Sequence, residues 1–347
     1  MRIGFDVTPL VRPHPRGVTR ATGSLLAALE RRGRHVIVRL SPPRDARLAS
    51  WRQTDLARAA STEKLAGIHS PFSAFPLRGG GWRVQTVHEL PWRHRVRENA
   101  GFAHRAWACF GTRIADATIV PTEFVARELR RRIVPLGNKV HVVHWGIEAP
   151  FCDEPPPGTI DEVALGRYRL PQIPLALCLN AVRPKKNLSA VIDGLAELRR
   201  RNGPPLQLVV SGGDTPQLRK DLGRVARLGL SRYVSTPDEI DERDLPSLLR
   251  LACVVPVLSH SEGFGLPVLE ALACGTPVLV PKDSAQAEIA GNAGIVVDPS
   301  DAGSVADGLA RAVAEREALR APSIARAREF SWDRAAEQVE KLWEQLA

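Results

Sequence analysis

Residues 261–275 read SEGFGLPVLEALACG, in which Glu262 and Glu270 lie on either side of a Gly-Phe-Gly-Leu-Pro turn. Glu270 is surrounded by apolar residues, and a buried carboxylate is costly unless a partner satisfies it. The apolar run before it, CVVPVLS at 253–259, predicts a buried strand. Together they predict a strand, a glycine-containing turn and a helix in succession, which is the repeating unit of a parallel α/β sheet.

The alternation of strand and helix patterns continues through nearly the whole chain. Apolar runs such as HVIVRL at 35–40 predict strands, and amphipathic segments such as TEFVARELRRRI at 122–133 predict helices. A proline-rich stretch, FCDEPPPGTIDEV at 151–163, interrupts the alternation. The sequence therefore predicts an α/β protein with two doubly wound, Rossmann-like domains of similar size, at 1–155 and 170–325.

The composition narrows the class of protein. The net charge of the 347 residues is +10, with arginine providing nearly all the excess. This favours phosphates, an anionic membrane surface or nucleic acid as partners, although an arginine-rich codon usage explains it equally well. No apolar run reaches the roughly 18 residues of a membrane span, and the first residues are too polar for a signal peptide. The five cysteines lack CxxC pairs, which predicts reduced thiols rather than disulfides or a zinc site.

A diphosphate site is predicted at the start of the helix at 267–274. Four residues precede this helix at its positive end: Gly263, Phe264, Gly265 and Leu266. Ligands of open parallel sheets bind beyond the carboxyl ends of the strands, where this turn is expected. Two glycines allow a phosphate to approach backbone N–H groups, although an ordinary tight turn has the same pattern.

The two glutamates predict hydroxyl groups on either side of that diphosphate. Side chains on a helix lean toward its N-terminus, so we expect Glu270 to reach the same ligand. A carboxylate is repelled by a phosphate and accepts hydrogen bonds from neutral hydroxyls, which a ribose supplies. Glu262, on the loop before the turn, would contact another hydroxylated ring. A structural arginine beside Glu270 and a solvated Glu262 are the alternatives.

Cations are needed to balance the phosphates. The segment NAVRPKKNL at 180–188 follows a predicted strand, and Arg183, Lys185 and Lys186 are the candidates. A lysine would neutralise a diphosphate without a metal ion, whereas solvated surface lysines are the alternative. The first strand–helix turn, DVTPLVRPHPRGV, lacks GxGxxG, which argues against a nicotinamide or flavin cofactor. We therefore expect neither a metal ion nor a cofactor.

These motifs resemble a known family. EGFGLPVLE at 262–270 resembles the E-x7-E motif of the GT-B glycosyltransferases of family 4, also called glycosyl transferases group 1. RPKKN at 183–187 resembles the cationic loop of that family. PRGVTRATGSLLAAL at 15–29 resembles its glycine-rich loop and first helix, and VQTVHELP at 84–91 its His-Asp/Glu loop. The resemblance covers nearly the whole chain.

The resemblance implies both architecture and activity. Family members have two Rossmann-like domains facing a cleft, and the last helix, here within 331–347, crosses back to the first domain. They transfer a sugar, with retention of configuration and without a metal ion, from a nucleotide-diphosphate sugar. The acceptor would be a glycan or a lipid-linked molecule in cell-surface polysaccharide or glycoconjugate synthesis.

The resemblance also implies residue roles. Glu262 would touch the donor sugar, Glu270 the ribose and Lys186 the diphosphate. Backbone groups of Phe264, Gly265 and Leu266 would contact the sugar and phosphates.

In the first domain, His88 would face the donor sugar, and Gly17 would keep its loop close to the phosphates. A structural histidine is the alternative for His88. Asn180 stands where the family has glycine, and this departure leaves the donor's identity open.

The acceptor side is expected in the first domain. The segment PWRHRVRENAGFAHRAW at 91–107 mixes arginines with Trp92, Phe102 and Trp107. Basic residues beside aromatic ones favour an anionic membrane surface and a lipid-linked acceptor. A solvated helix with a few core aromatics is the alternative. We expect a cytoplasmic protein with peripheral contact to the inner face of the membrane.

Three other functions fit parts of the pattern. A non-catalytic nucleotide-sugar-binding partner of another glycosyltransferase is disfavoured because the glutamates, Lys186 and His88 are all present. A nucleic-acid-binding protein is disfavoured because no helix-turn-helix, zinc finger or RNA-binding aromatic motif occurs. An epimerase of similar architecture is disfavoured by the E-x7-E pattern.

Overall fold

The computed structural model describes residues 1–131, 138–237 and 239–347. The chain divides into two compact units, one formed by Met1–Gly146 with Phe330–Ala347 and the other by Ile147–Glu329. The N-terminal segment of the first unit thus ends at Gly146, whereas the predicted first domain ends at residue 155.

The first unit alternates strands and helices. Its strands are β1 (Arg2–Asp6), β2 (Val36–Leu40), β3 (Gly67–Ser70), β4 (Trp82–Thr86), β5 (Ala117–Val120) and β6 (Val140–Val142). Its helices before the crossover are α1 (Thr8–Val11), α2 (Arg16–Arg32), α3 (Leu48–Gln53), α4 (Asp55–Thr62), α5 (Phe102–Ala106), α6 (Thr112–Ile114) and α7 (Glu123–Arg130). A 3-10 helix (Pro91–His94) and a π-helical turn (Trp107–Gly111) flank α5.

The second unit repeats the alternation. Its strands are β7 (Leu175–Cys178), β8 (Gln207–Val210), β9 (Val234–Ser235), β10 (Val255–Pro256), β11 (Val278–Pro281) and β12 (Gly294–Val297). Its helices are α8 (Glu162–Arg167), α9 (Leu188–Arg200), α10 (Pro216–Arg227), α11 (Leu245–Leu251), α12 (Leu266–Ala273), α13 (Ala285–Ala290), α14 (Ala302–Ala314) and α15 (Arg316–Ala327). Short 3-10 helices span Pro184–Lys186, Ser231–Tyr233 and Gly291–Ala293.

The sheet of the first unit is parallel, with the order β2-β1-β3-β4-β5-β6. After β1 the chain adds β2 on one side, and it then returns to place β3 on the other side of β1. The carboxyl ends of β1 and β3 therefore flank the topological switch point, where ligands of such sheets bind.

The second unit contains two parallel three-stranded sheets, β7-β8-β9 and β10-β11-β12. A parallel bridge between Ala176 and Val254 joins them, and the Leu177 amide donates to the Val254 carbonyl at 3.0 Å. The joined order is β9-β8-β7-β10-β11-β12, so the switch point lies beyond β7 and β10. Both units are Rossmann-like, as the sequence predicted.

The last helix, α16 (Trp332–Leu346), packs on α2 in the first unit. Its apolar face joins the core around Phe5, and the Trp343 indole stacks on Trp82 with ring centres 6.0 Å apart. Trp343 Nε1 also donates to Nδ1 of the buried His69 at 3.2 Å. A long-range hydrogen bond and a large buried surface thus attach the C-terminus to the first unit.

One local prediction was confirmed at the start of a helix. Thr122 caps α7, since its Oγ1 accepts from the Val125 amide at 3.3 Å. That helix ends at Arg130, and residues 132–133 of the predicted segment lie outside the described residues.

In the described ranges, no helix combines the length and apolar character needed to cross a membrane.

Candidate functional site

The structure brings Lys186 and Glu262 together at the switch point of the second unit. Lys186 ends the 3-10 turn that follows β7, and Glu262 lies on the loop that follows β10. The Lys186 Nζ atom is 2.7 Å from Oε1 of Glu262, and the two side chains are only 9% and 13% exposed. The predicted sugar-contacting and phosphate-contacting residues therefore form a largely buried ion pair.

The pair fixes the charge of Glu262. Burial by itself raises the pKa of Glu262, but the positive charges of Lys186 and Lys185 and the hydrogen bond from Lys186 lower it to about 2. The carboxylate is therefore ionised at neutral pH, and its oxygens are hydrogen-bond acceptors.

A backbone hydrogen bond joins the loop of Lys186 to the loop of Glu262. The His260 amide donates to the Lys185 carbonyl at 2.9 Å, which joins the loop of Glu262 to that of Lys186. Asn180 has a φ of 49°, in the left-handed region that glycine adopts readily and that asparagine tolerates better than most residues. Gly212, with a φ of 133°, packs beside it: a Cβ there would lie 3.3 Å from the Asn180 Cα atom. The backbone at Asn180 is therefore one that a glycine would also adopt.

Helix α12 begins beside this pair. Gly265 is its N-cap, with a φ of 95° that strongly favours glycine, and Leu266 is the first helical residue. The helix thus covers Leu266–Ala273, one residue earlier at each end than predicted, and Pro267 is its second residue rather than its first. The N-terminus of a helix carries a partial positive charge, and binding of an anion at the start of α12 remains a prediction.

The other predicted residues of the turn and helix line this end of α12. Gly263 and Phe264 are buried in the turn. Glu270 lies on the helix and is only 3% exposed, as its apolar neighbours predict. Its contact with a ribose remains a prediction.

Arg183 is placed differently from Lys186. It is the N-cap residue just before the 3-10 turn, and its carbonyl accepts from the Lys186 amide at 2.9 Å. Its side chain is exposed, whereas that of Lys186 is largely buried. Lys186 is therefore the cation that the fold holds against the glutamate.

His88 lies in the first unit, after β4. Its Nε2 is 2.7 Å from the Pro71 carbonyl oxygen, and its ring packs edge-on against Trp145 with centres 5.2 Å apart. Burial lowers the pKa of His88 to about 4, so the ring is neutral at pH 7. A carbonyl oxygen only accepts, so Nε2 carries the proton and Nδ1 is an acceptor. Among the described residues, His88 Nδ1 has no hydrogen-bond partner.

Gly17 lies in the first turn of α2. A Cβ atom built on it would meet no protein atom within 4 Å, so packing within the protein does not require glycine at this position. The predicted reason, close approach of a ligand, is therefore open to a direct test by substitution.

The aromatic residues of 91–107 divide into two groups. Trp92 packs edge-on against His104, and Trp107 against Phe75, each with ring centres 5.2 Å apart. Phe102, at the start of α5, is 88% exposed. The tryptophans are thus packing residues, and only Phe102 of the three is presented to a surface.

Two family models match the chain. The model described as Glycosyltransferase Family 4 matches residues 4–149, and the model described as Glycosyl transferases group 1 matches residues 171–330. One match falls on each Rossmann-like unit, and the second contains both glutamates of the candidate site.

Named relatives and a solved structure agree with these models. O-antigen chain mannosyltransferase B of Escherichia coli is 31% identical over 182 residues, which are 50% of this chain and 47% of that protein. D-inositol 3-phosphate glycosyltransferase of Corynebacterium jeikeium is 28% identical over 291 residues, which are 77% of this chain and 69% of the relative. The chain thus spans about half the length of the first relative and about two thirds of the second.

The structure of Anabaena HepE in complex with UDP and glucose has a TM-score of 0.77 at 16% identity, with 100% of both chains covered. At this identity the likeness shows the fold alone. With a family model matched on each of its two units, the chain belongs to the GT-B glycosyltransferases of family 4.

Proposed function

We propose that this chain transfers a sugar from a nucleotide-diphosphate sugar to a glycan or lipid-linked acceptor, with retention of configuration. The observation that carries the proposal is the buried Lys186–Glu262 pair beside the start of α12, at a topological switch point. The site offers an anion-binding helix end, a cation and an ionised carboxylate, which suit a phosphate group linked to a hydroxylated ring. The named relatives, a mannosyltransferase and an inositol phosphate glycosyltransferase, support this substrate class.

The proposed chemistry depends on stabilising the leaving group. As the bond between the anomeric carbon and the phosphate oxygen breaks, negative charge grows on the phosphate. Lys186 Nζ and the positive end of α12 would stabilise that charge electrostatically. Glu262, ionised because its pKa is about 2, would accept hydrogen bonds from the sugar hydroxyls. Glu270 would hold the ribose in the same way.

No protein base is needed in this scheme. The acceptor hydroxyl forms the new glycosidic bond on the face from which the phosphate departs, and its proton passes to the departing phosphate oxygen. The His88 Nδ1 atom would accept a hydrogen bond from a donor hydroxyl, because Nε2 is already used by Pro71. Lys186 supplies the charge that a metal ion provides in other transferases, so we expect full activity in EDTA.

We also propose a cytoplasmic location with peripheral contact to an anionic membrane surface. The exposed Phe102, in a segment rich in arginine, supports this proposal. Flotation with vesicles containing anionic lipid should recover the protein at low salt, and Phe102→Ser should weaken the recovery. Absence of binding to these vesicles at low salt contradicts this part of the proposal.

The enzymatic proposal is tested in two steps. A thermal-shift screen of UDP-, GDP- and other nucleotide sugars should identify a donor that raises the melting temperature, since a ligand of the folded state stabilises it. Donor turnover is then measured for the wild type, Glu262→Gln and the surface control Glu317→Gln. We expect turnover to fall at least about 100-fold in Glu262→Gln and to stay unchanged in the control.

Each result has a distinct meaning. A donor that binds and is turned over, with loss in Glu262→Gln alone, supports the transferase. Binding without turnover in the presence of any acceptor favours the non-catalytic partner. No stabilisation by any nucleotide sugar contradicts both.

A further inference from the structure

A second group of polar side chains lies at the topological switch point of the first unit. Asp6 is the last residue of β1, and Phe72 lies just after β3. Arg52, on α3, has its Nε atom 3.9 Å from Oδ2 of Asp6 and its guanidinium carbon 4.5 Å from the centre of the Phe72 ring. The sequence analysis did not select these residues, and the available signal was the aspartate that opens the first strand–helix turn, DVTPLVRPHPRGV.

The Nε atom of Arg52 is buried and has no hydrogen-bond acceptor within the part of the chain that the structure describes, and the whole side chain is only 14% exposed. Arginine has five N–H donors in a rigid fork, and leaving the buried Nε–H of Arg52 unsatisfied is costly. Stacking on Phe72 and the charge of Asp6 hold the group in place without using the fork. The guanidinium of Arg52 is thus held in one orientation without donating a hydrogen bond to the described residues.

Asp6 is fixed from its other side. It is fully buried, and its Oδ1 accepts from both the backbone amide and the hydroxyl of Thr8. Its Oδ2 forms no hydrogen bond within the described residues and faces Arg52. Asp6 therefore acts on Arg52 through charge, as a positioning residue.

The loops around Arg52 add further donors and acceptors. A terminal nitrogen of Arg12 donates to the Pro43 carbonyl at 2.7 Å, which ties the loop after β1 to that after β2. His14 lies with its ring centre 5.8 Å from that of Phe72, and its Nδ1 is 3.2 Å from the Arg12 carbonyl. Burial lowers the pKa of His14, so the ring is neutral and its Nε2 is an acceptor. Asp6, whose carboxylate faces Arg52, is the acidic residue next to the loop at 7–15, and the loop itself contains none.

We propose that this crevice binds an oxyanion carried by the acceptor, a phosphate or a carboxylate, through paired hydrogen bonds from Arg52. The planar fork matches two oxygens of such a group, and the His14 Nε2 atom accepts from a neighbouring hydroxyl of the same molecule. This inference rests on the proposed function, because the acceptor is a substrate of that reaction. Lys186 and α12 already provide for the donor phosphates, so Arg52 serves a second anion.

Inorganic phosphate is the first probe. Its binding is measured by calorimetry, with and without saturating UDP, for the wild type, Arg52→Met, Arg52→Lys and the surface control Arg58→Met. We expect the wild type to bind phosphate equally well in both conditions. Arg52→Met should weaken binding at least about tenfold, Arg52→Lys should fall between, and the control should match the wild type.

Once a donor is known, transfer to a phosphorylated hexose is compared with transfer to the same hexose without phosphate. In Arg52→Lys the KM for the phosphorylated acceptor should rise at least about fivefold while the KM for the donor stays unchanged. Asp6→Asn should raise the same KM, because the guanidinium loses its positioning charge.

Several results would overturn the proposal. Competition between phosphate and UDP assigns the anion to the donor site. Equal binding by Arg52→Met and the wild type removes Arg52 from recognition, and equal weakening in Arg58→Met shows only general attraction to a basic surface. If Arg52→Met does not fold, Arg52→Lys decides. The phosphate titration uses no sugar donor, so its outcome is separate from the turnover assay of Glu262→Gln.

Discussion

At the scale of single residues, the opposite charges of Lys186 and Glu262 offset the free-energy cost of burying each other. Both side chains are largely removed from water, where an isolated charge is strongly disfavoured. Removing one partner leaves an uncompensated buried charge. This destabilises the fold more than replacing both partners with apolar residues. The pair is therefore a source of local stability as well as the proposed electrostatic centre of the site.

Replacement of Lys186 by methionine should reveal this dependence. Without the ammonium group, the effect of burial is opposed only by the charge of Lys185 and the hydrogen bond from Ser259, so the pKa of Glu262 should rise from about 2 toward 4.5. The free energy of unfolding at pH 7 should fall by roughly 3 kcal/mol. Urea unfolding of Lys186→Met measures this, with Lys220→Met on the exposed face of α10 as control. Equal stability of both variants would show that the pair does not support the fold.

Gly17 offers a second prediction at this scale. Alanine fits without contact, so Gly17→Ala should melt at the same temperature as the wild type or slightly higher, since alanine favours a helix by up to roughly 1 kcal/mol. Affinity for the donor found by screening should nevertheless fall about tenfold, because the new methyl group occupies space proposed for the ligand. The control is Gly23→Ala in the same helix, where a Cβ makes ordinary contact with Leu10 at 3.6 Å. Unchanged donor affinity in Gly17→Ala would remove this residue from the site.

At the scale of elements, strands and helices with simple periodicity could be predicted from the sequence. The strand predicted from HVIVRL at 35–40 appears as β2 (Val36–Leu40), and the last helix lies within the predicted range 331–347. Strand β3, GIHS, was missed because it buries His69 and Ser70, which break the apolar pattern. The donor to Nδ1 of His69 is Trp343, 274 positions away, and local pattern reasoning cannot find such a contact.

The candidate site could be predicted only in part, because local patterns do not show contacts between distant segments. The turn before α12 and the cationic loop each have a recognisable local sequence pattern, so Glu262 and Lys186 could be selected. Their contact at 2.7 Å depends on β7 and β10 being neighbours, and strand order does not follow from alternation alone. The Asp6–Arg52 group likewise depends on the order of β1, β2 and β3.

The attachment of α16 supplies a prediction at this scale. Trp343→Phe keeps most of the ring but removes the N–H donated to His69, which leaves a buried acceptor unsatisfied. The free energy of unfolding should fall by roughly 1–3 kcal/mol. Trp332→Phe in the same helix is the control, since the Trp332 N–H has no partner within the described residues and its loss should cost less. Denaturant unfolding that ranks Trp332→Phe as the more damaging change would contradict this account.

At the scale of the whole molecule, buried titratable groups set the response to acid. Burial lowers the pKa of His69 to about 3 and that of His88 to about 4, so the folded protein resists protonating both rings. Burial raises the pKa of Asp6 to about 6, so the folded protein takes up a proton there before the unfolded chain does. The histidines and the aspartate therefore act in opposite directions between pH 6 and pH 4.5.

The balance of these groups gives a signed prediction. Near pH 5.5 the unfolded chain binds nearly two more protons at the histidines, while the folded chain binds most of one more at Asp6. The net difference is about one proton, so these groups lower the free energy of unfolding by about 1.4 kcal/mol per pH unit on acidification. Asp6→Asn removes the opposing group and should steepen the fall to roughly 2.5 kcal/mol per pH unit. Urea unfolding between pH 6 and pH 4.5 measures both slopes, and Asp45→Asn, at an exposed position, should keep the wild-type slope. A slope that Asp6→Asn leaves unchanged or flattens would mean that Asp6 is not protonated in the folded protein across this range.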